Sequence, residues 1–527
     1  MGRSLRRDLQ WQVDPSGVDV LLRDPVTLRE FALSRAQAAI LRAVGREPDL
    51  DRVAAAATGE LGTPIPADLV GELLDQFDEL ALTESPGSSP EAVHTRQREA
   101  RSEFFSRERG EALGDLLESM RALPYYADVL PDPLPAIERP EDVAHLPILD
   151  RSTLRERFPE FLPAGLPVDD VVWMSTSGTT GERQQVARSL ADWEAAQPWT
   201  WTLNRVIRDV LGGPYCRLTT PRCNGTECHQ RPGSREERTN GPRLALETTH
   251  EIASLPPDRV ERIVREMTEH RPEYLLVDPT YLAILVDHAR RLRLPLPRVR
   301  FVLTAYELSS ALHRRAIEEA FECPVYDAYG ATEYGAIAVQ CEAGRHHVNP
   351  RSVILEVLAG GGAPGRMLVT TLEKKVMPLL RYDTGDLAVR GETPCSCMWS
   401  ETETLASLEG RAADAVRTTA GALVTAAAVD RAIAPSIRGV VTYCLVQQGP
   451  ASYRFEFLPA HDHREGALAG AVAALHDLLG HEAKIRTERR REILPAPSGK
   501  FRLSYAERAN SDSSSNLGTD SILEAPP

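Results

Sequence analysis

The chain has 527 residues, 42% of them hydrophobic, and a formal net charge of −15. This length exceeds what one hydrophobic core usually holds, so we expect two or more domains. The acidic balance and the lack of a dense Lys/Arg tract exclude nucleic acid as the main partner. No stretch reaches the about 18 consecutive apolar residues of a membrane helix, and the amino end lacks the apolar core of a secretion signal. The sequence therefore predicts a cytoplasmic protein without a membrane partner, whose eight cysteines are mostly reduced.

Residues 1–88 are predicted to form a small separate module. Two apolar-rich runs, Gly17 to Leu22 and Leu28 to Leu33, are separated by an Arg-Asp-Pro turn and are predicted strands. Ser34 and Gln37 have the spacing of a capping box at the start of a helix. Three helices are predicted, at residues 34–45, 51–61 and 67–82. Two strands followed by three helices are typical of a winged-helix-like unit.

The remainder predicts two further domains. In residues 95–410 helical segments alternate with β-rich runs such as Tyr274 to Val277 and Val299 to Leu303, which favours an α/β domain with a largely parallel sheet. Residues 411–508 carry their own signals, a strand at 440–446 and a helix at 466–479. A linker is predicted at residues 85–93 and a disordered tail at residues 509–527.

A loop rich in hydroxyl groups follows the apolar run Val171 to Met174. Its members are Ser175, Thr176, Ser177, Gly178, Thr179, Thr180 and Gly181. The glycines let the backbone come close to a ligand, and the hydroxyl groups suit phosphate oxygens. The Lys-Ser/Thr pair of the common P-loop does not follow. Alone, the pattern fits a phosphate-binding loop and an unliganded surface loop equally well.

Four later stretches favour phosphate binding. They are Tyr329-Gly330-Ala331-Thr332-Glu333, Tyr382-Asp383-Thr384-Gly385-Asp386, Gly410-Arg411, and a Gly/Pro-rich loop that ends in Ser498-Gly499-Lys500. In this order and spacing, the five stretches resemble those of the adenylate-forming (ANL) superfamily. The closer resemblance is to its phenylacetate–CoA ligase branch, through Pro124-Tyr125-Tyr126, LPILDRSTLRE from Leu146 and PLLRYDTGD from Pro378. It covers about residues 100 to 505.

The resemblance implies a large adenylate-forming domain and a small, mobile α+β C-terminal domain. It also implies an ATP-dependent ligase that converts a carboxylic acid to acyl-AMP, releases pyrophosphate, and passes the acyl group to a thiol of CoA or of carrier-bound pantetheine. Two alternatives stay open: transfer to an amine or a peptide, which forms an amide, and a non-catalytic binding protein on the same fold.

The resemblance also implies a role for each motif. The loop from Ser175 to Gly181 would hold the β- and γ-phosphates, and Tyr329, next to Gly330, would stack on adenine. Thr332 would contact the α-phosphate, and Glu333 would hold Mg²⁺, which prefers oxygen ligands. Asp386 would bind the ribose hydroxyls, and Arg411 would lie close to the nucleotide. Lys500 would bridge the carboxylate and the α-phosphate in the transition state.

The same resemblance matches Asp414 to a hinge and Gly421 to a glycine that lines the second-step site. Two departures concern substrate shape and rate. Glu182 and Arg183 stand where Pro-Lys is usual, and Tyr306 lies in a segment where Gly-Gly-Glu is common. The acid pocket is expected from residues 199–246 and 305–307.

Some members of the branch carry a structural zinc, and four residues here match its ligands: Cys341, His347, Cys395 and Cys397. Three thiolates and one imidazole suit tetrahedral zinc. The alternatives are reduced cysteines without a metal, and a rival set of Cys216, Cys223, Cys228 and His229.

The N-terminal module resembles the PqqD-like units that bind a peptide as an added strand. This implies a carrier or peptide partner in addition to the small-molecule acid. A DNA-binding winged helix and a purely structural cap are the alternatives.

Overall fold

The structure is a computed structural model of the chain. It describes residues 4–5, 9–13, 20–23, 30–44, 46–47, 49–79, 83–84, 106–107, 109–166, 171–176, 184–189, 200, 203–210, 212–220, 234–359, 362–372, 376–391, 395–397, 399 and 402–507. The predicted linker, the predicted tail, and Ser177 to Gly181 with Glu182 and Arg183 lie outside the described residues.

The N-terminal module has a three-stranded antiparallel sheet and a separate pair of strands, where the sequence analysis expected two strands in all. The elements are β1 (Ser4–Leu5), β2 (Gln10–Val13), β3 (Val20–Arg23), β4 (Glu30–Leu33), α1 (Arg35–Val44), α2 (Leu50–Leu61), α3 (Ala67–Glu79) and β5 (Thr83–Glu84). The strand order is β2-β3-β4, and β1 pairs with β5. The capping box is present: the Ser34 N–H donates to Gln37 Oε1 at 2.9 Å, and the Gln37 N–H donates to Ser34 Oγ at 3.2 Å. The module has its own apolar core between strands and helices, including Leu22, Ile40 and Phe77.

The next segment is mostly helical and ends in a hairpin. It contains a helix at residues 109–120 (α4), α5 (Pro124–Val129), α6 (Arg151–Glu156), the antiparallel strands β6 (Val171–Ser175) and β7 (Gln185–Ser189), and the short helix α7 (Arg205–Arg208). Most buried side chains of this segment pack against the antiparallel half of the large sheet described next, whereas Ile207 on α7 packs with Phe301 and Leu303 of the parallel half.

A sheet of twelve strands forms the body of the described protein. Its strands are β8 (Tyr215–Leu218), β9 (Thr239–Asn240), β10 (Arg243–Ala245), β11 (Tyr274–Val277), β12 (Phe301–Thr304), β13 (Val325–Ala331), β14 (Gly335–Gln340), β15 (His346–Val348), β16 (Val353–Leu358), β17 (Gly365–Thr371), β18 (Tyr382–Arg390) and β19 (Thr404–Arg411). The helices between them are α8 (Pro257–His270), α9 (Pro279–Leu292) and α10 (Ala311–Phe321).

The expectation of a largely parallel sheet holds for one half only. The strand order is β16-β17-β18-β19-β15-β14-β13-β12-β11-β8-β10-β9. Pairings among β10, β8, β11, β12 and β13 are parallel, because helical crossovers separate most of these strands along the chain. From β13 to β16 the pairings are antiparallel, since short turns replace the helices.

A second sheet with two helices follows after residue 411. The elements are β20 (Val416–Arg417), β21 (Leu423–Val424), α11 (Ala426–Ile433), β22 (Val440–Gly449), β23 (Ser452–Pro459), α12 (Ala469–Leu479), β24 (Lys484–Arg489) and β25 (Ser504–Ala506), and the four-stranded order is β24-β23-β22-β25. Most of its core is its own, but Val441, Leu458 and Phe501 pack into the core around α8 and α9. Within the described ranges, no helix combines the length and the apolarity needed to cross a bilayer.

Candidate active site

A cleft of about 990 Å³, open solvent at its mouth included, lies between the large sheet and the start of β25. Residues that the sequence analysis singled out line it, among them Tyr329, Gly330, Asp386, Arg411, Asp414 and Lys500. They come from β13, from β18 and β19, and from the C-terminal sheet, and folding brings them to one place.

Asp386 is the centre of the polar contacts in this cleft. The Tyr329 hydroxyl donates to Asp386 Oδ2 at 2.8 Å, and Arg411 Nε lies 3.5 Å from Asp386 Oδ1. Asp386 and Arg411 are direct partners in the β18–β19 ladder. Burial and the neighbouring Asp386 charge raise the pKa of Tyr329 well above its usual value, so its hydroxyl keeps the proton that it donates.

Gly330 has a packing reason to be glycine. A Cβ at this position would lie 2.2 Å from the carbonyl oxygen of Gly335 on the adjacent strand. The pairing of β13 with β14 also shifts register between Tyr329 and Gly330. Only a residue without a side chain lets the two backbones come this close beside the cleft.

Thr332 and Glu333 lie in the turn that follows β13. The Thr332 carbonyl accepts a hydrogen bond from Arg188 on β7 at 2.9 Å. The Glu333 carboxylate is buried and accepts bonds from Arg151 at 3.1 Å and from the Tyr382 hydroxyl at 3.2 Å. The motifs did not single out Arg151 and Arg188, although Arg151 lies in the LPILDRSTLRE segment that carried part of the resemblance.

Ser175 and Thr176 are the described part of the predicted phosphate loop. The Thr176 N–H donates to the Gln184 carbonyl at 2.8 Å, and the Gln184 N–H donates to Thr176 Oγ1 at 3.0 Å. These two bonds extend the β6–β7 hairpin by one pair. The predicted phosphate loop therefore begins at the end of the β6–β7 hairpin. The contacts of Ser177 to Gly181 stay predictions.

Lys500 lies in a tight turn next to the cleft. The Gly499 N–H donates to the Ala496 carbonyl at 2.7 Å, and Gly499 has a φ of 80°. A Cβ on Gly499 would lie 1.9 Å from Thr220 Oγ1, so the turn approaches the large sheet as closely as glycine allows. Burial and the nearby Arg411 lower the pKa of Lys500, while Asp386 acts in the opposite direction.

Two carboxyl groups outside the nucleotide motifs lie beside Lys500. Asp278 is the N-cap of α9, and Glu307 follows β12. Burial raises the pKa of both carboxyls, and the charge of the neighbouring Glu307 raises that of Asp278 further. The sequence analysis did not single out Asp278, although an Asp-Pro pair at the start of a helix is a signal that could have marked it. Glu307 was included only in the range 305–307 expected to line the acid pocket.

The predicted hinge residue Asp414 pairs with Arg502, two residues beyond Lys500. Arg502 Nε donates to Asp414 Oδ1 at 2.7 Å. The other position implied by the family, Gly421, lies exposed in the turn between β20 and β21 with a φ of 89°. The structure does not bring Gly421 to the cleft.

Tyr306 lines the cleft in a conformation that favours glycine. Its φ is 78°, and the Arg217 guanidinium lies 5.4 Å from its ring centroid. A bulky residue with positive φ is uncommon and strained. Tyr306 thus combines a backbone conformation that favours glycine with a large ring at the cleft wall.

The four candidate metal ligands meet in space. The donor atoms of Cys341, His347, Cys395 and Cys397 all lie within 4.8 Å of one another. Cys341 Sγ and Cys395 Sγ are 3.8 Å apart, and Cys397 Sγ is 3.2 Å from His347 Nε2. A tetrahedral site with Zn–S bonds of about 2.3 Å has sulfur–sulfur edges of about 3.8 Å. The cluster can hold a metal ion.

The surroundings of the cluster orient the imidazole. His347 Nδ1 lies 2.6 Å from Thr402 Oγ1, whose own hydroxyl donates to the Trp399 carbonyl at 3.0 Å. Nδ1 therefore carries the proton and Nε2 faces the thiols, the arrangement common for ligating histidines. His346 is not part of the cluster, because its Nε2 pairs with Asp327 at 2.9 Å.

Of the rival metal set, only Cys216 is described. It is buried on β8, and burial raises the pKa of its thiol to about 12, which disfavours the thiolate that a metal needs. Cys223, Cys228 and His229 lie outside the described residues.

No protein-family model matches the chain. Two similar sequences are the phenylacetate–coenzyme A ligase of Pseudomonas putida, 25% identical over 272 residues, and that of Thermus thermophilus, 26% identical over 286 residues. Each match covers 49% of this chain and 58% of the relative, so the chain spans less than two thirds of the length of these relatives.

Among solved structures, 2-hydroxyisobutyryl-CoA ligase in the postadenylation state with R3-HIB-AMP matches with a TM-score of 0.59 and 16% identity. The match covers 81% of this chain and 96% of that one. The complex of the same ligase with 2-HIB-AMP gives a TM-score of 0.58. The chain therefore has the fold of adenylate-forming ligases and is similar in sequence, over about half its length, to phenylacetate–coenzyme A ligases.

Proposed function

We propose that this protein is an AMP-forming acid–thiol ligase. The observation that carries the proposal is the cleft in which Lys500, from the C-terminal sheet, meets Tyr329, Asp386 and Arg411 of the large sheet. The Lys500 ammonium group lies among residues proposed to bind the nucleotide, where it could stabilise the negative charge that develops during phosphoryl transfer.

In the first half-reaction a carboxylate oxygen of the acid attacks the α-phosphorus of ATP. The new P–O bond forms as the bond to the β-phosphate breaks, and pyrophosphate leaves. Lys500 stabilises the negative charge shared by the acid and the α-phosphate, and Asp386 accepts hydrogen bonds from the ribose. The loop from Ser175 to Gly181 would hold the departing phosphates, and the Glu333 carboxylate would offer an oxygen ligand to Mg²⁺, which would offset the phosphate charge.

In the second half-reaction a thiolate attacks the acyl carbon and AMP leaves with the bonding electron pair; the thiol proton passes to solvent. We propose CoA or carrier-bound pantetheine as the thiol. Residues 411–508 would rotate about Asp414 between the two steps, bringing Gly421 towards the thiol. A lysine on such a moving unit serves one half-reaction only.

We propose that the cluster of Cys341, His347, Cys395 and Cys397 holds a structural zinc. Its ligands come from the β14–β15 turn, from β15 and from the segment between β18 and β19, so the ion would join parts of the chain that flank the strand carrying Asp386. All four positions are taken by protein side chains, as in structural rather than catalytic zinc sites.

We also propose that the N-terminal module binds a peptide segment of a partner as an added strand. In the described part of the chain, β2 and β4 are the edges of the sheet β2-β3-β4, and an edge strand has unpaired backbone groups that can accept another strand.

The test of the ligase function is an assay of AMP and pyrophosphate release over a panel of aromatic, aliphatic and hydroxy acids, with and without CoA. We expect AMP to appear with a subset of the acids and a thioester to form only when CoA is present. Hydroxylamine trapping of the acyl-adenylate without CoA would show the intermediate. Absence of AMP with every acid, both with and without CoA, would contradict the proposal.

Replacing Asp386 by Asn should raise the KM for ATP by about 10- to 100-fold, because a hydrogen bond to a charged acceptor contributes about 1.5–3 kcal/mol. The matched control is Asp383→Asn on the same strand. Asp383 pairs with Arg366 and does not line the cleft, and the Asn variant can still accept from the Gly385 N–H. Steady-state kinetics with varied ATP measures both variants; equal KM values would contradict the ribose role.

A further inference from the structure

Two side chains of the large domain hold the Lys500 turn, one on each side of the lysine. The Tyr281 hydroxyl donates to the Gly499 carbonyl at 3.1 Å. Glu307 Oε2 accepts from the Phe501 N–H at 2.8 Å. The backbone groups immediately before and after Lys500 are therefore both bonded to the large domain.

Both side chains are fixed by the start of α9. Tyr281 is fully buried, and its ring meets the Phe501 ring edge-on with centroids 5.2 Å apart. The other Glu307 oxygen accepts from the Thr280 N–H at 3.2 Å and from the Thr280 hydroxyl. Asp278, the N-cap, accepts from the N–H groups of Thr280 and Tyr281. A well-capped helix start thus presents a rigid surface to the turn.

The charged groups around Glu307 also affect the neighbouring Lys500. Asp278 is fully buried and Glu307 half-buried; burial raises the pKa of both carboxyls, and the nearby Glu307 charge raises that of Asp278 further. His313 faces Thr280 from α10 at 3.5 Å, and burial lowers its pKa to about 4, so it is neutral. Glu307 and Asp278 both act to raise the pKa of Lys500 against the effect of burial, so they favour its ammonium form.

We infer that Tyr281 and Glu307 are positioning residues that clamp the Lys500 turn for the adenylation half-reaction and release it for the thiol half-reaction. The inference rests on the proposed function. All clamp bonds join the C-terminal sheet to the large domain, so a rotation of the C-terminal unit must break them together. Loss of these bonds should therefore lower the rate of the adenylation half-reaction only. Loss of a merely structural contact would lower the rates of both half-reactions.

The test uses two conservative variants of the full chain. Tyr281→Phe removes one hydroxyl and keeps the ring contact with Phe501, and Glu307→Gln removes the charge and keeps the shape. The expected result is a fall in the single-turnover rate of pyrophosphate release by about 5- to 10-fold for Tyr281→Phe and about 10- to 100-fold for Glu307→Gln. Thioester formation from a preformed acyl-adenylate and CoA should change less than about twofold.

The control is Tyr505→Phe, which removes a hydroxyl from β25 of the same C-terminal sheet and keeps the ring that packs on Arg502. Equal losses in both half-reactions, or an unchanged adenylation rate, would overturn the clamp. Hydrogen exchange of the peptide that contains Phe501 provides a readout independent of catalysis. Faster exchange is expected in Glu307→Gln, and unchanged exchange would overturn the clamp even if the wild-type protein formed no adenylate. Of these outcomes, only the failure of the wild-type protein to form an adenylate would contradict the proposed function.

Discussion

Replacing Lys500 by Ala is expected to lower the rate of acyl-adenylate formation by about 10²- to 10³-fold, the loss typical for one positioned electrostatic group. Lys500 lines the cleft together with Asp386 and Arg411, where it is partly removed from water. ATP binding should change little, because the stabilised charge develops only in the transition state. Single-turnover pyrophosphate release and calorimetric ATP titration measure the two effects separately.

The matched control is Lys484→Ala on β24, an exposed lysine of the same sheet, which should leave both measurements unchanged. Transfer from a preformed acyl-adenylate to CoA should survive in Lys500→Ala. An equal loss in that second half-reaction would show a general structural defect and would contradict the assigned role.

The pH dependence offers a second check on Lys500. Burial and Arg411 lower its pKa from the usual 10.5. The ammonium form is present below this lowered pKa and is lost as pH rises through it, so kcat/KM for adenylation should fall on the alkaline side earlier than for a solvent-exposed lysine. Lys500→Arg should move this alkaline limb to higher pH, because guanidinium does not deprotonate in the accessible range. An unchanged limb would assign the titration to another group.

The candidate site was predictable where its chemistry sits in short local motifs. Tyr329, Asp386, Arg411 and Lys500 lie in short motifs whose resemblance to the ANL superfamily marked them, and the structure brings all four to one cleft. Local patterns also predicted β11 at Tyr274–Val277, which matches the observed strand, and a strand near 299–303, observed at Phe301–Thr304.

Contacts between distant segments were not predictable in this way. The bond from Tyr281 to Gly499 joins residues 218 apart, and the bond from Glu307 to Phe501 joins residues 194 apart. No local pattern of charge or periodicity contains such pairings, because they depend on how α9 and β12 are placed against the C-terminal sheet. The same reason hid the antiparallel half of the large sheet, where strand direction follows from turns rather than from strand sequence.

The strand Gln10–Val13 was missed for a different reason. Its alternating polar and apolar residues, Gln-Trp-Gln-Val, are a strand pattern, but four residues are too short to outweigh the surrounding charged sequence. Pairing with β3 supplies the missing stabilisation, since its backbone groups find partners along the whole strand.

Replacing Cys395 by Ser is expected to remove a stoichiometric zinc and to lower thermal stability strongly. Binding of structural zinc in peptides contributes about 10–16 kcal/mol of apparent free energy, more than the whole stability of an ordinary domain. Zinc analysis by mass spectrometry and thermal melting, with and without a chelator, measure the change. Cys323→Ser, in the turn before β13, is the matched control and should retain the metal.

Loss of the zinc should also weaken ATP binding at the nucleotide site. The ligands join β15 to the segment between β18 and β19, and those two strands carry Asp386 and Arg411 as direct ladder partners. Loosening that segment should therefore raise the KM for ATP in Cys395→Ser, even though no ligand lines the cleft. Zinc retained in Cys395→Ser but lost in Cys228→Ser would instead assign the metal to the rival set. A melting temperature that neither chelation nor Cys395→Ser changes would mean that the cluster contributes no structural metal, because a bound ion that stabilises the fold must reveal itself when it is removed.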